Sequence, residues 1–191
     1  MENKAVHSYQ DSIAYRAMML ARDAHKDQVR KYTGNPYSDH LAEVAGIVAT
    51  VVDYESMHPD ALIATAWLHD IVEDCGYTDQ SLWEALDPNF ERITETEQVV
   101  RGVMWLSDME VGNRASRKKL SCERLARAPH WVQTIKCADL ISNTSSIVKH
   151  DPDFARVYLR EKRDLLRAMT KADRRLWQLA WEQSFGVARE V

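Results

Sequence analysis

The sequence predicts an all-α protein organised as one domain. Apolar residues recur at helical spacing along nearly the whole chain. Six Gly and five Pro are too few for a collagen-like, low-complexity or turn-rich all-β chain. The 191 residues hold no internal repeat, no low-complexity tract and no linker long enough to divide domains, so a sizeable single core is expected.

The elements follow in order. Ile13, Ala17, Leu20, Ala21 and Ala24 form the apolar stripe of a first helix from about Tyr9 to Gln28. The basic stretch Arg30-Lys31-Tyr32-Thr33-Gly34-Asn35-Pro36 breaks the period as a turn. Leu41, Val44, Ala45, Val48 and Val52 mark a second helix, capped near Ser38 or Asp39. Pro59 suits the first turn of a third, which runs through Leu62, Ala66 and Leu68 toward Asp74. Thr78 caps a short helix through Leu86, and Val99, Val100, Val103 and Trp105 continue a fifth. Ser107 to Ser116 reads as a polar loop turning at Gly112-Asn113, and the helix after it, through Lys118, Leu120 and Leu125, ends before Pro129. Val132, Ile135, Ala138, Ile141 and Val148 suggest a helix stopping near His150; Asp151-Pro152 starts the next, through Phe154, Val157, Leu165 and Leu166. Asp173 starts the last, through Leu176, Trp177 and Trp181.

Charge and composition exclude several functions. Twenty-five Lys+Arg against 29 Asp+Glu give a net charge of -4 and a pI near 6.0, with no overall drive toward DNA or RNA. The apolar stretch from Ala61 to Leu68 is too short to span a bilayer, and MENKAVHSYQDS lacks the apolar core of a secretory signal. Cys75, Cys122 and Cys137 lack C-x-x-C spacing, so neither a disulfide framework nor a zinc ribbon is indicated. A soluble, cytoplasmic protein is expected.

Ionisable residues inside apolar helices need an account, because burying a charge costs several kcal/mol unless it is paired or binds a cation. The apolar run from Ala61 passes into His69-Asp70-Ile71-Val72-Glu73-Asp74. His69 and Glu73 are four apart, as are Asp70 and Asp74, so each pair lies along one helix side. Asp139 and Asn143 repeat that spacing on an otherwise apolar helix, and His40 opens another. Two imidazoles and two carboxylates, His40, His69, Asp70 and Asp139, form a mixed set suiting Mn²⁺, Fe²⁺ or Zn²⁺ better than Ca²⁺ or Mg²⁺. Spacing alone leaves plainer readings open. His69-Asp70 also reads as a hydrogen-bonded pair, His40 as a helix-end residue, Asp139 as a buried acceptor, and Glu73-Asp74 as a polar helix end. His7, His25, His58, His130 and His150 read as structural.

Motif order narrows this. His69-Asp70-Ile71-Val72-Glu73-Asp74 is H-D-x-x-E-D, which resembles the signature of RelA/SpoT-type hydrolases of the HD superfamily. Ala24-His25-Lys26-Asp27-Gln28-Val29-Arg30-Lys31 resembles that family's A-H-x-x-Q-x-R-K block. Pro36-Tyr37-Ser38-Asp39-His40 resembles P-Y-x-x-H, and Lys136-Cys137-Ala138-Asp139-Leu140-Ile141-Ser142-Asn143 resembles K-x-A-D-x-x-x-N. The resemblance covers about residues 10 to 170 and is to small alarmone hydrolases of the metazoan SpoT-homologue kind. It implies a single HD-type helical bundle over residues 1 to 191 around a central metal site, with a C-terminal helix at 173 to 185 packed on the core.

It also implies roles. His40, His69, Asp70 and Asp139 fall on the four metal ligands, with Mn²⁺ the usual ion and another divalent transition metal the alternative. Glu73 and Asp74 fall on the acids that orient and activate water, and Asn143 on the asparagine near ribose and phosphates. Arg30 and Lys31 match the basic pair of the nucleotide pocket; Arg114 lies where a loop cation meets phosphates, and Tyr158 where a tyrosine faces the nucleotide. The implied reaction removes the 3′-pyrophosphate of (p)ppGpp, the alarmone of the stringent response, leaving GDP or GTP. Leu140 stands where many relatives carry Lys or Arg, and Leu41 where Pro is common. The first departure keeps ppApp-type alarmones and NADPH open as substrates. A non-catalytic nucleotide-binding or interaction module is the alternative of another class. Expected partners are a small-molecule nucleotide, with a homo-oligomer and a companion alarmone synthetase as candidates; nucleic acid and membrane are not expected.

Overall fold

A computed structural model describes residues 12–52, 58–89 and 91–185, and among them it is helical with no extended strand. The chain divides into two compact units. The first comprises the chain up to Gln28 with Pro36–Ser107, the second Val29–Asn35 with the chain from Asp108 onward.

The first unit contains α1 (Ile13–Ala24), α2 (Tyr37–Ala49), α3 (Pro59–Leu68), α4 (Ile71–Cys75), α5 (Asp79–Leu86) and α6 (Ile93–Leu106). The apolar helix α3 packs against α1, α2 and α6. Ile13, Ala17 and Ala21 of α1, Leu41 of α2, Ala61, Ala64 and Leu68 of α3, and Val99 and Val103 of α6 share one buried cluster. Leu68 and Ile71 are both fully buried and bracket His69-Asp70. At about 1.5–3 kcal/mol per fully buried aliphatic side chain, these two anchors fix where the intervening polar pair can lie.

The second unit contains α7 (Arg114–Arg127), α8 (His130–His150), α9 (Pro152–Ala168) and α10 (Arg174–Gln183). Its centre is α8, against which α7, α9 and α10 pack, with Trp131, Val132, Ile135, Ala138 and Leu140 among its buried residues. The expected C-terminal helix thus packs on α8 and α9.

Caps explain most boundaries. Thr78 accepts from Ser81 N in a capping box, Asp151 from Phe154 N, and Asp173 from Arg175 and Leu176 N, as the sequence predicts. Four boundaries differ. The predicted start at Tyr9 lies outside the described residues, as does His7; α1 ends at Ala24 rather than Gln28 because His25 leaves the helical region (φ -102°, ψ 16°). Helix α2 starts at Tyr37, ahead of the predicted cap at Ser38 or Asp39, because Pro36 supplies the extended entrance (ψ 137°). Helix α7 starts at Arg114 inside the predicted loop, since Asn113 accepts from Ser116 N and Gly112, at φ 130°, makes the turn before it. The predicted run from Pro59 to Asp74 is two helices, broken at His69-Asp70. Among the described residues no helix is long and apolar enough to cross a membrane.

Candidate active site

The break between α3 and α4 arises from the side chains themselves. His69 Nδ1 is 2.8 Å from the carbonyl oxygen of Ala66, which can only accept, so Nδ1 carries the hydrogen. That carbonyl would receive the Asp70 amide in a continuous helix. Asp70 instead takes bridge-region torsions (φ -104°, ψ -1°), and its own carbonyl starts α4 by accepting from Asp74 N at 2.9 Å.

Three ligand-type atoms converge there. With Nδ1 protonated, His69 Nε2 presents a lone pair in the neutral ring, and Asp70 Oδ2 lies 3.0 Å from it and 3.6 Å from His40 Nε2. The two imidazoles are edge to face at 5.2 Å, and both are almost wholly buried. Two imidazole nitrogens around one carboxylate oxygen in a buried setting favour a shared cation, so His40, His69 and Asp70 fit the divalent metal of the sequence reading. Tyr37 donates to the same Asp70 oxygen at 2.6 Å and sits edge-on to His40 at 5.4 Å. In the sequence Tyr37 stands out only as part of the P-Y-x-x-H block. Glu73 and Asp74 follow as exposed residues of the single turn α4, and Gln28 Nε2 donates to Asp74 Oδ2 at 2.9 Å.

The second unit carries the remaining residues. Asp139, 5% exposed on α8, pairs with Lys136 Nζ at 2.8 Å and accepts from Asn143 Nδ2 at 2.6 Å. Arg30 donates to Asn143 Oδ1 at 3.2 Å, so the Asn143 amide is oriented by a cation on its oxygen and a carboxylate on its nitrogen. Arg30 is held by a tight turn, donating through its backbone to Asn35 O at 2.8 Å while Gly34, at φ 71°, donates back to Arg30 O. Lys31 points elsewhere: it is exposed and lies over the Tyr32 ring at 4.8 Å, and Tyr32 donates to Asp151.

A cavity of about 580 Å³ opens in this unit, lined among others by Arg114, Lys136, Asp139, Asn143, Tyr158 and Lys162. That volume lies in the range of small-molecule sites. Arg114 forms a two-pronged pair with Glu161, both contacts at 2.7 Å, and stacks over Phe154; the Glu161 hydrogen bonds raise its guanidinium pKa. Tyr158 donates to Leu140 O at 3.4 Å, and burial pushes its phenol pKa up. Asp108 lines the cavity too. Burial alone would raise its carboxyl, but Lys136, Ser121 and Lys118 outweigh burial and hold it below the usual range.

Lys162 was missed by sequence reading. It is 1% exposed, donates to Leu140 O, Thr144 Oγ1 and Gln183 Oε1, and burial lowers its pKa to about 8. The available signal was its place on the α9 stripe of Ala155, Leu159 and Leu166, where a cation interrupts an apolar face.

The comparisons with known proteins agree with this reading of motifs. The chain belongs to the HD domain family, which it matches over residues 17–174. It is 33% identical over 171 residues to a probable guanosine-3′,5′-bis(diphosphate) 3′-pyrophosphohydrolase of Synechocystis, covering 87% of this chain and 21% of that one. It is 30% identical over 147 residues to the protein of the same activity name from Haemophilus influenzae, covering 75% and 20%. It is 38% identical over 136 residues to a probable GTP pyrophosphokinase of Mycobacterium leprae, covering 69% and 15%. The chain therefore spans about a fifth or less of the length of these relatives. A solved structure described as a metazoan ortholog of SpoT that hydrolyses ppGpp shares the fold, with a TM-score of 0.75 at 20% identity, covering 94% of this chain and 97% of that one.

Proposed function

We propose that this chain is a metal-dependent phosphohydrolase that removes the 3′-pyrophosphate of (p)ppGpp, giving GDP or GTP and pyrophosphate. The observation that carries the reading is the convergence of His69 Nε2, His40 Nε2 and Asp70 Oδ2 inside an H-D-x-x-E-D sequence. The activity names of the Synechocystis and Haemophilus relatives support it. The family match over residues 17–174 supports reading that range as one hydrolase domain.

In this reading His40, His69, Asp70 and Asp139 hold one divalent ion, and the mixed nitrogen and oxygen set supports Mn²⁺. A bound divalent ion supplies Lewis-acid polarisation of a phosphoryl oxygen and acidifies a water. Of the two acids Glu73 and Asp74, one would accept the attacking water's proton while the other holds the water in line. Asn143, oriented by Arg30, meets ribose and phosphate; Arg114 neutralises phosphate charge, and Tyr158 lines the nucleotide's place. The protein then acts in the cytoplasm on a small nucleotide, as a monomer or homo-oligomer, and a companion alarmone synthetase would supply its substrate.

A second substrate reading rests on Leu140, an apolar side chain in the cavity wall. It favours ppApp-type alarmones, NADPH or another nucleotide at the same site. Product analysis with Mn²⁺ and ppGpp, ppApp or NADPH separates these. Pyrophosphate from ppGpp is expected; preference for ppApp, or phosphate from NADPH, would move the substrate and keep the mechanism. No turnover of any of the three by metal-loaded protein would overturn the (p)ppGpp reading in favour of another nucleotide or a binding module.

A further inference from the structure

We infer that His25 and Gln28 are positioning residues that hold Asp74 in its working orientation through a hydrogen-bonded line in the first unit, an assignment that rests on Asp74 serving the attacking water. His25 and Gln28 belong to the A-H-x-x-Q block, whose histidine reads as structural from sequence. In the structure His25 is 2% exposed at the end of α1, its Nδ1 2.6 Å from Gln28 Oε1, and Gln28 Nε2 is 2.9 Å from Asp74 Oδ2.

Donor and acceptor chemistry leaves one arrangement of this line. A carboxylate oxygen accepts, so the Gln28 amide nitrogen faces Asp74 Oδ2. The amide oxygen then faces His25 Nδ1, which must carry the hydrogen. The ring is fixed in turn by stacking on Tyr37, with centroids 5.0 Å apart and planes 19° apart. Tyr37 is the residue that donates to Asp70. One buried imidazole therefore supports Asp74 through Gln28 and braces the phenol that orients Asp70.

The need for such support follows from where Asp74 sits. It is exposed on a helix of five residues, where a carboxylate otherwise samples several rotamers. Holding it in one orientation before substrate arrives spares that ordering at the reaction step. The Gln28–Asp74 bond is itself exposed, so its loss bears on turnover more than on folding.

The test uses the full chain with Mn²⁺ and ppGpp. Gln28→Met keeps the side chain's length and removes both the donor to Asp74 and the acceptor of the His25 N–H. It is expected to lower kcat about tenfold, with KM and Mn²⁺ affinity unchanged. Gln28→Glu, which sets a carboxylate against Asp74, is expected to lower kcat at least as far. In an Asp74→Ala background Gln28→Met is expected to add no further loss, because the group it positions is gone. Circular dichroism and thermal melting confirm that each variant folds. A wild-type kcat in Gln28→Met, a loss expressed in KM instead, or an undiminished loss in the Asp74→Ala background would overturn the assignment alone. Absence of wild-type turnover, measured first in the same assay, would overturn the functional reading and this assignment with it.

Discussion

The phenol of Tyr37 donates to Asp70 Oδ2 at 2.6 Å, and that same oxygen stands 3.0 Å from His69 Nε2. The tyrosine thus fixes a carboxylate that faces a lone-pair nitrogen, the arrangement of a ligand oriented by an outer partner. Tyr37→Phe removes only the hydroxyl and leaves the stack on His25 in place. It is expected to weaken Mn²⁺ binding about 10- to 100-fold, measured by calorimetric titration, with an unchanged circular dichroism spectrum.

The fork between Arg114 and Glu161 has the geometry that an Arg–phosphate pair would use, so Glu161 and an incoming phosphate compete for one guanidinium. Glu161→Gln is expected to tighten inorganic pyrophosphate binding several-fold, on the order of 1 kcal/mol for a partly exposed pair, and the gain is expected to shrink as salt rises. Titration at two ionic strengths checks both.

Arg30 donates to Asn143, which lines the cavity. Arg30→Met is expected to raise KM for ppGpp about tenfold through loss of its charge and of the Asn143 orientation. Asn143→Ala is expected to do likewise, and the double variant to fall short of the product of the two effects. Steady-state kinetics on the three proteins decides it.

Lys162 makes folding pH-dependent. Its pKa falls from 10.5 to about 8 because burial penalises the ammonium. Between about pH 8 and 10.5 the unfolded chain keeps a proton that the folded chain has released, so this contribution favours folding increasingly as pH rises through that window. Below it the ammonium is charged in both states and the cost, on the order of 3 kcal/mol, is fully present. Lys162→Met is expected to raise stability at neutral pH and to flatten the rise between pH 8 and 10.5, read by urea denaturation at several pH values.

Sequence carried the fold far because its helix ends are written in local chemistry. Thr78, Asp151 and Asp173 cap where their hydroxyl and carboxylates say they should. The break at His69-Asp70 was not legible, since every residue from Ala61 to Asp74 is compatible with a helix. Only the folded side chains show the imidazole taking the Ala66 carbonyl. The start of α2 was misplaced for a related reason: Ser38 and Asp39 are ordinary caps, but Pro36 had already set the entrance. Among the site residues, the metal-ligand types stood out as charges in apolar runs, whereas Tyr37 and Gln28 are ordinary polar residues in turns. Their importance lies in which oxygen they face. Lys162 is legible as a cation on the apolar stripe of Ala155, Leu159 and Leu166.

The measurement that tests the central claim most directly is pyrophosphate release from ppGpp by the full chain with Mn²⁺, for wild type beside Asp70→Asn. Asparagine keeps the shape and removes the negative charge that, beside the His40 and His69 nitrogens, would hold a cation. Stoichiometric pyrophosphate and GDP from the wild type, with turnover by Asp70→Asn reduced at least about a thousandfold, is the expected result. Wild-type protein that binds Mn²⁺ but releases no pyrophosphate, or an Asp70→Asn variant that turns over undiminished, would contradict it.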